Sequence, residues 1–434
     1  MPVTSPKNPG LTFFTHQGLG YDSSTIHANL IARVESILAL KGSSTNTTAT
    51  FDVVQSCINL FLQYMFPNTP IAHEGTLRAG ASLFLLEHPP AMLKTGYLAH
   101  DDSHLTHAKS FTLITALCAF VTSVMPDSLL RRGKLLTVPF LQSSKAMLRL
   151  YEEYDLEQPD SSSITIRIWH SGALQNTTGW AGAAWHHHSE ASLMALRLHL
   201  YDERAVARES AVESRLLRAN FWLLYLADKA AEGLENRTSI LNERLFESNL
   251  TLLEHSEEDE PLLDESRDTA EGGLEERISV GFRLKTRIWA AAAGVITEMK
   301  AHVRRRELLG DAMGSQSSEI AHIAELNLRF TALIYELPPW LQLLANIDTT
   351  KSSVVAYQAK CLWTLKSNIM TTYHCLRLVI LQRCLETDMV EVLGLTRQPL
   401  ALAMRKLEIV QDFIRELDLV PFLCYKVQGE AGVS

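Results

Sequence analysis

Apolar residues recur along most of this chain at the three-to-four-residue spacing that turns one face of an α-helix toward a core. Leu30, Val34, Ile37 and Leu38 begin the pattern, which stops near Gly42, and the Ser/Thr/Asn stretch from Ser43 to Thr50 reads as a loop. Phe51, Val54, Ile58, Phe61, Leu62 and Met65 form the next stripe, closed by Pro67 and Pro70. Further helices are predicted at 105–125, 138–153, 162–178, 181–199, 209–231, 274–308, 317–336, 351–386 and 398–417. Ile164, Ile166 and Ile168 alternate with Thr165 and Arg167, as they would in a strand. Asp160 and Ser161 offer N-caps, however, and no second strand-like segment lies nearby, so a helix is expected there. The pattern gives an all-α fold class, a large multi-helix domain.

One stretch breaks the rhythm. Between 250 and 273, Glu254, Glu257, Glu258, Asp259, Glu260, Asp264, Glu265, Asp268 and Glu271 crowd together, with Pro261 and Gly272-Gly273 as breakers. Such like-charge density predicts a solvated, flexible acidic loop at 251–273. The organisation that follows is an N-terminal segment with one helix at 1–50 and a helical core at 51–250. After the loop, 274–434 forms the second helical half of the same domain. Leu252-Leu253 and Leu262-Leu263, interleaved with carboxylates, also have the composition of a short activation segment.

Composition narrows the class. Of 434 residues, 46% are hydrophobic and 21% charged, the balance of a globular chain with ample core material. The six cysteines, Cys57, Cys118, Cys361, Cys375, Cys384 and Cys424, form no CxxC pair and sit mostly in apolar stretches. Buried thiols in a reducing compartment are therefore expected. Met1 to Gly10 is polar and proline-containing, unlike a secretory leader, so the sequons at Asn46, Asn176, Asn236 and Asn249 carry little meaning. The most apolar run, Phe111 to Met125, ends at Pro126 and is shorter than the roughly 20 residues of a membrane span. A net charge of −9 disfavours unaided contact with a phosphate backbone.

Catalytic signatures are absent: no GxSxG elbow, phosphate loop or GxGxxG is present. His73-Glu74 and Asp101-Asp102-Ser103-His104 lie in predicted turns without an evident reaction geometry. His186-His187-His188 cannot converge on one ion, because consecutive helical residues point about 100° apart. His186 and Glu190 alone share a face. Arg304-Arg305-Arg306 reads as a solvated helix end or part of a nuclear-import signal. No catalytic residue, metal site or cofactor is expected. Seven tryptophans, at 169, 180, 185, 222, 289, 340 and 363, fall mostly on helical faces, where some can line a pocket between helices.

The residues 213–229 read ESRLLRANFWLLYLADK. Arg215, Arg218 and Trp222, at i, i+3 and i+7, share one side of a helix, beside an apolar side carrying Leu216, Leu223 and Ala227. Glu213 and Asp228 supply acids at either end, so the expected role is an interhelical salt-bridge network, with an anion or partner contact through Arg215 or Arg218 as the alternative. This stretch, with Phe221 before Trp222 and Asp228 six residues after it, resembles the regulatory (middle homology) domain of fungal zinc-cluster transcription factors. FPNTPIAHE at 66–74, with Pro67, Pro70 and His73, resembles that family's Pro-flanked turn before a His, and AWHHHSEASLMALRLHLYDE at 184–203 resembles its following helix. Tyr151 to His187 is similar to the branch found in regulators of carbon-source use.

The resemblance runs from about 52 to 250 and continues faintly to about 420. It implies a non-enzymatic all-α regulatory domain in the nucleus (alternatively the cytoplasm). The partners implied are a DNA-binding regulator protein or a small-molecule effector, with a homodimer as a further option. Two features depart from the family. Its usual Gly-Arg-Pro is replaced around Glu235-Asn236-Arg237-Thr238, and with only Cys57 in the first hundred residues no six-cysteine zinc cluster can be built. The expected function is a transcription-regulator-like protein without its own DNA reader, regulating a metabolic or specialised-metabolite gene cluster. The alternatives are a truncated gene model of a full factor, an enzyme or small-molecule carrier of specialised metabolism on the same fold, and a purely structural interaction module.

Overall fold

The computed structural model describes residues 22–39, 49–85, 102–235, 237–256, 258–267, 273–309, 316–347, 350 and 352–428. Helix makes up 79% of these, and no strand occurs among them, so the fold is all-α. The chain forms α1 (Ser23–Ala39), α2 (Ala49–Leu60) with a π-turn at Phe61–Met65, α3 (Glu74–Ala81), α4 (Asp102–Val124) and α5 (Gly133–Glu157). Next come α6 (Ser161–Thr178), α7 (Ala181–Arg197), α8 (Glu203–Val206), α9 (Ala211–Glu235) and α10 (Leu274–Leu309). The last five are α11 (Gln316–Ala332), α12 (Pro339–Gln342), α13 (Ser353–Glu386), α14 (Pro399–Leu419) and α15 (Phe422–Lys426). Met1–Gly10, Gly42, Ser43–Thr48, Asp101, Asn236, Glu257, Asp268, Glu271 and Gly272, which enter the expectations above, lie outside the described residues.

Helix α4 packs on α5 and α6, and α6 on α7; in the second half α10 packs on α13, α9 and α11. One apolar core joins the two halves, running from Leu30 and Phe61 through Trp169 to Ile288, Leu365 and Val427. A smaller cluster around Phe221, Tyr201 and Leu241 lies beside it. Close approach is set by small residues. A Cβ at Gly172 of α6 would stand 2.6 Å from the Phe120 ring of α4, so a larger side chain would push these helices apart.

Helix α4 is long and apolar enough to cross a membrane by length and composition, yet 78% of its most apolar window is buried inside the protein. Its threonines stay satisfied there because the Thr112, Thr115 and Thr122 hydroxyls each donate to the carbonyl four residues back at 2.7 Å. Helix α6 explains the misleading isoleucine alternation. Ile164, Thr165, Ile166, Arg167, Trp169 and His170 are all buried, so the helix is enclosed on nearly every side and its apolar pattern loses the 3.6-residue period. Asp160 is the N-cap, accepting from the Ser163 amide while the Ser163 hydroxyl accepts from the Asp160 amide.

Several expectations are revised. Helix α5 begins at Gly133 rather than 138, because Pro139 is accommodated in its second turn. Helix α3 was not anticipated: it is eight residues long and carries Gly75 and Gly80. Cys375 is exposed, whereas the other five thiols are buried. The acidic stretch is not simply solvated where it is described, since Leu252, Leu262 and Leu263 are buried in the two apolar clusters.

The core also holds a fully buried ion pair. Arg167 and Asp155 are both 1% exposed, 2.7 Å apart, and tied together by Ser163, whose hydroxyl donates to Asp155 at 2.6 Å and whose carbonyl accepts from Arg167 at 2.9 Å. Removing one member strands the other in an apolar surrounding, which costs about 3–5 kcal/mol. Asp155→Ala and Arg167→Ala are each expected to lower the urea midpoint followed by circular dichroism by a corresponding amount. The double change Asp155→Leu with Arg167→Met should recover most of the loss, and single variants matching wild type would refute the assignment.

Candidate functional site

The three residues that share a face of α9 all reach one target, the strap formed by residues 252–256 and 258–267. The Trp222 indole donates to the Leu253 carbonyl at 3.0 Å. Arg218 is buried and pairs with both Glu203, at the start of α8, and Asp259 of the strap. Burial works against its charge, but the hydrogen bonds and proximity of the two carboxylates outweigh it and raise its pKa. Arg215 donates to the Glu260 carbonyl at 2.6 Å and pairs with Glu275 in the first turn of α10. Glu275 in turn accepts from the amides of Leu262 (3.1 Å) and Leu263. Glu203 also accepts from the Leu253 amide at 2.9 Å.

The Pro-flanked turn meets the same strap from the other side. The Glu74 amide donates to the Leu262 carbonyl at 2.7 Å, and its carboxylate accepts from Arg267 (2.7 and 2.6 Å), Arg78 (2.8 Å) and the Asp264 amide (3.1 Å). Burial alone would raise the Glu74 carboxyl, but these hydrogen bonds prevail and hold it below its usual range. His73 is a capping residue: its Nδ1 accepts from the Thr76 amide at 3.3 Å and closes the start of α3. Pro70 lines a cavity with Arg215 and Trp222, while Pro67 keeps to the turn after the π-turn.

Two of the singled-out acids do other work than expected. Glu213 does not pair with the arginines; it accepts from the Ser161 amide (2.6 Å) and hydroxyl (2.7 Å) at the start of α6. Burial raises its carboxyl despite these bonds. Asp228 is fully buried and accepts from the Ser239 hydroxyl and the amides of Ile240 (2.8 Å) and Leu241 (3.2 Å), holding the turn after α9. Phe221 is fully buried in the second apolar cluster, against Tyr225 and Phe246. The arginine counter-charges are instead Glu203, Asp259 and Glu275, which spacing within one helix cannot reveal. Glu203 closes the quoted 184–203 segment and Asp259 sits in the acidic run, so composition alone marked them.

Between the strap, α9 and α10 lie two adjoining cavities of about 50 and 260 Å³. They share Arg215, His255, Ser279 and Arg283. The larger adds Glu276 and Leu263, and its volume sits near the lower edge of the roughly 300–1,000 Å³ range of ligand pockets. Its lining offers donors, acceptors and apolar wall, the means to orient a small polar molecule.

Elsewhere, His186 and His187 both turn to Glu190 (3.4 and 2.9 Å), while His188 stacks on Trp185 and is lowered by burial to about 4. Among the described residues no group of three His, Cys, Asp or Glu side chains is placed to hold a metal ion. Arg304, Arg305 and Arg306 are exposed on the last turns of α10, with Arg305 3.2 Å from Glu319. Compared with family models, curated proteins and solved structures, the chain matches none.

Sequence reasoning also missed Lys285 of α10, which is buried and donates to the Asn68 carbonyl of the Pro-flanked turn at 3.0 Å. Burial lowers its pKa from 10.5 to about 7. Between those values the unfolded chain binds a proton that the folded chain does not, so this residue adds stability as pH rises through the window. The melting temperature of wild type relative to Lys285→Met is therefore expected to rise between pH 7 and 10 and to stay flat below 7. A difference independent of pH would contradict the assignment. At the strap, Arg218→Leu leaves Asp259 and Glu203 without their cation and should destabilise by about 3–5 kcal/mol. Arg218→Lys should recover only part, because an ammonium cannot serve two carboxylates in a fork. An unchanged melting point for Arg218→Leu would sink the structural role of this residue.

Proposed function

We propose that this chain is a regulatory module of the fungal zinc-cluster transcription factor type, acting by binding rather than by catalysis. One observation carries the reading: the residues through which the sequence resembles that family, Arg215, Arg218 and Trp222, converge on a strap that walls a pocket of about 260 Å³. In this reading the Pro-flanked turn, the second resembling segment, secures the same strap through Glu74. A small polar effector seated against Ser279, Arg283 and His255 would contact α10 and the strap together, and so report its presence through the strap's ionic attachments. The module works in the nucleus on specialised-metabolite or other metabolic genes. These 434 residues contain no zinc cluster, and in this reading DNA contact is made outside them.

Deleting the gene in its host, with transcripts and metabolites measured together, tests this reading. Coordinate loss of many transcripts from one gene cluster is expected, and Ser279→Trp, which fills the pocket from α10, should reproduce that loss while leaving the melting temperature near wild type. Accumulation of a single pathway intermediate with normal transcripts would overturn the proposal in favour of an enzyme.

A further inference from the structure

Two guanidiniums line both cavities behind the strap, and only one of them is spent. Arg215 donates to the Glu260 carbonyl at 2.6 Å and pairs with Glu275. Arg283 makes no hydrogen bond among the described residues, and its counter-charge, Glu254 of the strap, stands 3.6 Å away. Those two side chains are 41% and 36% exposed, so water screens the pair and little holds it together. Ser279 lies one helical turn before Arg283 on the same face of α10, and its hydroxyl also lacks a partner among the described residues. A guanidinium fork beside a hydroxyl is a set of donors suited to a carboxylate.

The strap already brings a carboxylate here, and brings it poorly. Glu254 lines the smaller cavity but stays beyond hydrogen-bond distance of Arg283. Its neighbour Leu253 is fixed at the carbonyl by the Trp222 indole (3.0 Å) and at the amide by Glu203 (2.9 Å), which limits how far Glu254 can advance. A free carboxylate carries no such tether and can meet the fork directly. The lining then selects the rest of the molecule. Trp222, Phe282, Leu262 and Pro70 wall the smaller cavity, an apolar slot for a tail. Asp264, Glu265 and Glu276 line the larger one and oppose a second negative charge on the same ligand.

We propose that these cavities take a small monocarboxylate with an apolar tail, its carboxylate on Arg283 and Ser279 in place of Glu254 and its tail in the slot beside Trp222. This rests on the reading of the cavities as an effector site and names the class of ligand. It also supplies a link to the strap. Ligand and Glu254 compete for one guanidinium, so a bound carboxylate releases a strap residue next to the Trp222 attachment.

The test is isothermal titration of the full chain with hexanoate, butylmalonate, hexanamide and hexylamine. Hexanoate is expected to bind with a dissociation constant at or below about 1 mM. Butylmalonate, which adds a second carboxylate to the same skeleton, and the uncharged hexanamide should each bind at least about tenfold more weakly. Arg283→Gln should weaken hexanoate at least about tenfold while leaving the melting temperature near wild type, because its exposed pair adds little stability. Glu254→Ala removes the competitor and should tighten hexanoate about two- to fivefold, an effect that a merely structural Arg283 would not produce. Absence of hexanoate binding, tighter binding of hexylamine, or unchanged or weakened binding by Glu254→Ala overturns the proposal. If hexanoate fails to bind while gene deletion still removes the cluster transcripts, the ligand class falls and the regulatory reading stands.

Discussion

A guanidinium cannot be carried into a protein interior without carboxylates to meet it, and at Arg218 that requirement organises the middle of this molecule. Its two partners come from places that share nothing in sequence: Glu203 at the head of α8, and Asp259 in an acidic stretch 41 residues beyond Arg218. Once Asp259 is fixed, the strap cannot lie elsewhere. Arg215 then meets the Glu260 carbonyl and Glu275, Trp222 meets the Leu253 carbonyl, and Glu74 closes on the Leu262–Arg267 end. The acid-rich stretch is thus an internal counter-charge to α9, and Leu252, Leu262 and Leu263 enter the apolar clusters alongside these ion pairs.

Two kinds of cohesion therefore coexist. The helical bundle is held by apolar burial from Leu30 to Val427, which is non-directional and changes little with small polar solutes. The strap is held largely by directional bonds to charged groups, whose strength depends on what else enters the surrounding space. A buried ion pair adds little net stability over a well-packed apolar substitute, so its retention is better explained by position than by strength. That division places the strap, a wall of the two cavities, on a comparatively indifferent scaffold. Lys285 belongs with the first kind: it makes one hydrogen bond, to the Asn68 carbonyl, in a setting that disfavours its own charge.

What the sequence made legible follows from how local each determinant is. The long helices α10, α13 and α14 lie close to the ranges their apolar spacing predicts, because each keeps one face toward a core. Helix α6 hid its period because it has almost no outer face, and its Asp160 cap was the better guide. The shared side of Arg215, Arg218 and Trp222 was readable because it depends on one helix alone. Their partners were not: Glu213 and Asp228 were the nearest acids in sequence, yet both serve backbone amides, while Asp259 and Glu275 reach the arginines through tertiary folding. The same limit concealed Glu74, whose partners Asp264 and Arg267 lie more than 180 residues away.

Helix α13 joins the strap to α14. Near its start Gln358 donates to the Arg267 carbonyl at 2.8 Å and Tyr357 lies beneath the Arg267 guanidinium, so it touches the strap's end. Further along, Lys366, His374 and Arg377 hold the inward face of α14. Between these points Cys361, Leu362, Leu365, Ile369, Met370 and Leu376 are buried, without a proline or glycine to interrupt the helix. Such a helix resists local bending or melting, because either would expose that apolar face. A change at the strap can therefore reach α14 through α13 only if the helix moves as a body, which would displace α14 as one unit rather than unravel it.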